Sequence, residues 1–137
     1  MKYLFFALCL FFLVSCNSDD DKNSNASTEV NLKDGSWVVS YLFVDNMDET
    51  NNLVSFEFDF KNNQVLSAQN NLYSDDGTWN YSKMNEEEEI SIVFTETYPL
   101  GLLFGEWKVM TAAPTKVELV LEDELNGNID FLTFSKQ

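Results

Sequence analysis

Between residues 53 and 61 the chain alternates without a break: Val54, Phe56, Phe58 and Phe60 are separated by Ser55, Glu57 and Asp59. A period of two describes a strand with one dry and one wet face. The same signal recurs along the chain. Gly35 to Val44 is a first strand; Leu53 to Lys61 turns at Asn62-Asn63, a residue type that tolerates positive φ, into Gln64 to Gln69. Gly77 to Lys83 places Trp79 and Tyr81 on one face, Glu89 to Thr95 shows Ile90, Ile92 and Phe94, and Leu103 to Thr111 aligns Trp107 with Val109. Lys116 to Glu122 alternates Val117, Leu119 and Leu121 with Glu118, Val120 and Glu122, and the Asn126-Gly127 turn leads into Asn128 to Ser135.

Connections are short and nothing after the first fifteen residues carries a helical period. The pattern predicts an all-β domain over residues 34–136, an antiparallel meander of about eight strands. Such a meander hides its edges best by closing into a small barrel. A two-sheet β-sandwich produces the same pattern and stays open as the alternative. About a hundred residues suffice for one modest core.

The amino terminus follows another logic. Lys2, an apolar run from Tyr3 to Leu13 and the small residue Ser15 form a secretory signal over residues 1–15. A dozen helical residues at roughly 1.5 Å each cover about 18 Å, too short for a hydrocarbon core of about 30 Å. Leu13-Val14-Ser15-Cys16 resembles the lipobox of bacterial lipoproteins. The resemblance implies that the Cys16 thiol takes a diacylglycerol and that its freed amine is acylated after cleavage. The alternative is an ordinary thiol after a conventional cleavage site. Cys9 leaves with the signal, so the expected mature chain has no disulfide. Ser18-Asp19-Asp20-Asp21 is similar to the acidic export tag by which some Gram-negative bacteria move lipoproteins to the outer face of the outer membrane. Its alternative is a solvated acidic linker. Residues 16–33, rich in Asn, Ser and Asp, read as a flexible tether.

Charge narrows the function classes. The chain carries a formal net charge of −15, no histidine and no arginine. Nucleic-acid binding needs clustered cations and is excluded. Histidine-dependent triads and His-ligated zinc are impossible, and no glycine-rich phosphate cradle is present. No constellation of carboxylates, lysine or hydroxyls argues for catalysis, so no enzyme activity, metal or cofactor is expected. Glu86 to Glu89, Asp75-Asp76-Gly77 and Asp45 to Glu49 lack the spacing of a calcium loop and read as turns.

Gly35-Ser36-Trp37 resembles the start of the first barrel strand in lipocalins, although Gly77-Thr78-Trp79 repeats the tripeptide. The resemblance implies a small lipocalin-like domain of the kind found in bacterial lipoproteins. An interior lined by Trp37, Phe56, Phe58, Trp79, Tyr81, Phe94 and Trp107 is then the candidate site for a small hydrophobic ligand. Eight strands enclose room for side chains or one small ligand, so the same rings serve equally as a solid core. In that second reading the protein is a structural or protein-interaction accessory acting through its outer face. The greasy segment Tyr98 to Phe104 is a lid or docking patch, or else the start of a strand with Gly105 as a bulge.

The expected picture is an outer-membrane, surface-exposed lipoprotein held by lipid at Cys16. In Cys16→Ala the signal should remain attached and acyl mass should be absent; a processed mass identical in acylation to the parent contradicts lipidation.

Overall fold

The structure, a computed structural model, describes residues 27–95 and 98–137. The signal segment, Cys16 and the run Ser18, Asp19, Asp20, Asp21 lie outside the described residues. In chain order come α1 (Thr28–Lys33), β1 (Trp37–Val44), β2 (Met47–Asp48), a 3₁₀ turn (Thr50–Asn52), β3 (Glu57–Phe60), β4 (Val65–Gln69), β5 (Ser74–Met84), β6 (Glu87–Val93), a second 3₁₀ turn (Leu100–Leu103), β7 (Gly105–Ala113), β8 (Lys116–Glu122) and β9 (Ile129–Lys136). From β3 onward each strand pairs antiparallel with the next, and β1 pairs with both β3 and β9. The β1–β9 ladder runs from Trp37↔Lys136 to Phe43↔Phe131 and closes an eight-stranded barrel. β2 is an additional strand, a short ribbon on the far end of β1. The meander and its closure are as the alternation predicts, and the sandwich alternative falls.

Local chemistry sets the turns. Asp45 and Asn46 (φ 51° and 64°) and Asn85 and Glu86 (φ 49° and 72°) are left-handed pairs, the conformation of the two-residue hairpin whose twist matches its strands. Gln64 also takes a positive φ of 63°, so β4 begins one residue later than the pattern suggests.

Three segments differ from the sequence expectation. Residues 28–33, expected as the end of a flexible tether, form α1; Ser27 caps it through its hydroxyl to the Val30 N–H at 3.4 Å, and Leu32 is wholly buried. With Val30 exposed, a single buried apolar residue in a polar stretch leaves no periodic trace. The alternation over 53–56 does not extend β3, because the 3₁₀ turn buries Leu53 and leaves Val54 outside. Leu102 and Leu103 likewise belong to a 3₁₀ turn, and β7 starts at Gly105.

Inward-facing rings run through the barrel as a spine. Phe56 meets Phe58 at 6.3 Å, Phe58 meets Phe134 at 5.5 Å, Phe134 meets Phe60 at 5.3 Å, and Phe60 meets Trp79 at 5.1 Å, while the exposed Tyr73 stands against Phe56 at 6.3 Å. The edge-on contacts are the favoured geometry of aromatic quadrupoles. α1 covers one end of the barrel with Leu32, whose carbonyl accepts the Trp37 Nε1–H at 2.9 Å. Buried Leu53, Leu100 and Leu103 fill the other end, where the Trp107 Nε1–H donates to the Leu103 carbonyl at 2.9 Å.

Gly77 marks a close approach to neighbouring backbone: a Cβ there would stand 2.4 Å from the Val93 carbonyl oxygen and 2.7 Å from Phe94 Cδ1. Gly77→Ala should therefore cost about 1–3 kcal/mol in urea denaturation, as overpacking does. Ser82→Ala, exposed on the same strand, should stay within about 0.5 kcal/mol; equal effects of the two would refute the close-approach assignment.

Candidate functional site

The barrel wall opens on the side of α1. The β6–β7 ladder runs from Ile92↔Gly105 to Glu89↔Lys108 and stops there. The β5–β6 ladder continues to Met84↔Glu87, and the β7–β8 ladder to Ala113↔Lys116. A register shift between Val109 and Thr111 marks a bulge in β7, and a bulge bends the strand that carries it. The two hairpins consequently diverge, leaving a cleft of about 900 Å³. Thr28 and Asn31 of α1, Tyr81 and Lys83 of β5, Glu86 to Glu88, and Val109, Met110, Ala112, Ala113 and Pro114 line it.

Strand parity explains the cleft's polar wall. Tyr81 and Lys83 continue the inward face of Trp79, and their register partners Ile90 and Glu88 continue that of Ile92. The inner face thus changes from apolar to charged over the last turn of the hairpin. Glu88 collects the charges and donors. It accepts a short hydrogen bond from the Thr28 hydroxyl, a hydrogen bond from Tyr81, and the Lys83 ammonium at 3.4 Å. Lys83 also reaches Glu86 at 3.6 Å.

These contacts move two titrations. The Glu86 charge, followed by the hydrogen bond and charge of Glu88, raises the Lys83 pKa above its ordinary value. Partial burial, then the charge and hydrogen bond of Glu88, raises that of Tyr81. Because the folded-state value of Tyr81 lies above the unfolded one, its contribution to stability is complete below about pH 10 and fades as pH climbs through the folded value. Among the described residues no group of three or more acidic side chains gathers as a metal cage would.

The seven candidate ligand residues do come together. Trp37, Phe58 and Trp107 are at most 1% exposed, and Phe56, Trp79 and Phe94 at most 6%, all within one core. Phe56, Phe58 and Trp79 are members of the aromatic spine, and Phe94 lies against Gly77. Tyr81 alone of the seven lines the 900 Å³ cleft. Lys83, Glu88 and Thr28 escaped the sequence reading. The glutamate run passes for a solvated turn, although only Glu86 sits in the turn and Glu87 to Glu89 belong to β6. The usable signal was parity, since Lys83 shares the face of Trp79 and Tyr81.

No family model matches this chain, and no curated protein does. Among solved structures, it is similar to a lipocalin-like protein from Bacteroides uniformis ATCC 8492, at 18% identity and a TM-score of 0.48 over 78% of this chain and 99% of that one. It is also similar to an uncharacterized protein from Bacteroides eggerthii DSM 20697, at 13% identity and a TM-score of 0.48 over 74% of this chain and 97% of that one.

Replacing Glu88 with Gln leaves the burial that chiefly keeps the Tyr81 phenol protonated and removes the charge that adds to it. Tyrosine absorbance followed against pH should show one phenol titrating above the ordinary range in the parent and moving down in Glu88→Gln. An unmoved titration breaks the assignment of Glu88 as the cleft's central acceptor.

Proposed function

We propose that this chain is a lipid-anchored, surface-displayed binding module that recognises its ligand in the cleft between the β5–β6 and β7–β8 hairpins. The observation that carries the reading is the contrast between two spaces. The barrel interior holds its own rings, in mutual contact from Phe56 through Phe58, Phe134 and Phe60 to Trp79. Beside it the cleft offers about 900 Å³, with hydrogen-bonding groups on the β5–β6 and α1 side and Lys108 with the apolar Val109, Met110, Ala112, Ala113 and Pro114 on the other. Sites of this kind combine a few placed polar groups with an apolar lining.

The lipocalin-like reading of the sequence put a small hydrophobic ligand among Trp37, Phe56, Phe58, Trp79, Tyr81, Phe94 and Trp107. In the present proposal six of these rings act as the scaffold that fixes the hairpins, and Tyr81 remains as a contact residue. Lipid at Cys16 supplies the anchor, two or more acyl chains being enough for stable attachment. Asp19, Asp20 and Asp21 direct display at the outer face of the outer membrane.

A photo-crosslinking residue at Met110, in the cleft, and another at Leu125, which is 99% exposed at the opposite end of β8, separate this reading from a featureless surface. On intact cells Met110 should yield discrete adducts and Leu125 should not; equal labelling, or none at Met110, removes the cleft as the site. Substituting Asp19, Asp20 and Asp21 with alanine should protect the protein from external protease, and unchanged shaving overturns surface display through that tag.

A further inference from the structure

β7 is a central strand for half its length and an edge strand for the rest. Beyond Lys108 its last five residues, Val109–Ala113, pair with β8 on one side and have no β6 residue opposite on the other. Val109, Met110, Ala112 and Ala113 line the cleft, and the backbone groups that the β8 ladder leaves over on this side are of the kind that another extended backbone satisfies. We propose that the occupant of the cleft is an extended protein segment that adds as a strand to the open edge of β7. This inference rests on the cleft being the recognition site and names the class of partner that fits it.

Three features favour a strand. The first is length: five residues at about 3.4 Å each offer about 17 Å of edge, a usual strand length. The second is access. Sheet edges are commonly guarded by lysine, proline or inward-pointing charge. Residues 109–113 read Val, Met, Thr, Ala, Ala, with Met110 61% exposed; the guarding lysine and proline, Lys108 and Pro114, stand at the two ends of the edge, and the bulge between Val109 and Thr111 lies near its start. The third is charge. The facing wall carries Glu86, Glu87 and Glu88, of which Glu86 and Glu88 share Lys83, while Glu87 makes no ion pair among the described residues. An incoming strand with apolar side chains toward Val109 and Ala112 and a basic one toward Glu87 complements this slot, whereas an acidic one meets repulsion.

The probe is an acetylated, amidated octapeptide in which valine alternates with lysine or threonine, added to the ¹⁵N-labelled acylated protein in detergent micelles. Its control has the same side chains and N-methyl groups on alternate backbone nitrogens. The expected result is slowed amide exchange and shifted resonances concentrated in Val109–Ala113, with the N-methylated peptide weaker by about tenfold or more, as the loss of one or two backbone hydrogen bonds requires. Equal binding of both peptides, or shifts at Tyr81 and Lys83 without protection of Val109–Ala113, overturns strand addition and leaves the cleft as a site for another ligand. Binding of neither peptide at millimolar concentration overturns the peptide assignment, while the crosslinking at Met110 reports separately on the cleft. Protection of the edge that grows with protein concentration in the absence of peptide overturns the proposal in favour of a second copy of this chain.

Discussion

The ladder between β1 and β9 is the constraint from which the rest of this molecule follows. By joining the first and last strands of the barrel it turns a meander with two raw edges into a wall around a fixed volume. Eight strands set that volume near the limit at which side chains alone can fill it. The inner face supplies three tryptophans and several phenylalanines, each burying far more area than an aliphatic residue. Each indole also brings an N–H that needs an acceptor once buried. Trp37 finds the Leu32 carbonyl, Trp79 the Lys61 carbonyl at 3.1 Å, and Trp107 the Leu103 carbonyl. All three acceptors lie in α1, in a hairpin turn or in a 3₁₀ turn. Filling the interior and sealing its ends are therefore one event: the rings that occupy the volume also fasten the segments that cover it.

The opening in the wall has an equally local origin. A barrel strand can extend with both neighbours only while its inner face stays apolar or its polar groups find partners. At the tip of the β5–β6 hairpin that face passes from Trp79 to Tyr81 and then to Lys83, opposite Ile90 and then Glu88. The charged pair stays at the rim, half in water, and turns to Thr28 on α1. On the other side the bulge between Val109 and Thr111 interrupts the regular course of β7. Neither hairpin could follow the other without burying Lys83 and Glu88, so they separate. α1 is held to the β5–β6 flank of this gap, by Thr28 to Glu88 and by Lys33, whose ammonium stands 5.8 Å from the centre of the Trp79 ring.

What could be read from the sequence was whatever repeats. Alternation located eight barrel strands, and the Asn-containing turns located their junctions, because strand period and left-handed turn residues are properties of neighbouring positions. β2 was missed because two residues carry no period. α1 was missed because its helix rests on tertiary contact: six residues are too few to be stable alone, and it is Leu32 beneath Trp37 that holds them. The cleft was illegible for a related reason. Its existence depends on where one ladder stops relative to its neighbours, and register between non-adjacent turns leaves no mark in the order of residues. The rings named as ligand contacts illustrate the same limit: the pattern gives their shared face, but whether a shared face encloses space or fills it is decided by volumes across the barrel.

An open edge on a folded protein invites pairing of any kind, including with itself. The electrostatics of this chain discriminate among the possibilities. A formal charge of −15 makes two copies repel before their edges meet, most strongly at low ionic strength, where the Debye length exceeds the dimensions of the cleft. The repulsion falls away for a neutral or basic segment, and Glu87 favours a basic side chain at the β5–β6 wall, while Lys108 stands on the opposite wall. Net charge and open edge thus act in opposite senses on different partners. In the proposed strand addition, the backbone groups of Val109–Ala113 would give affinity without regard to sequence, and the glutamates of the facing hairpin would restrict which sequences arrive.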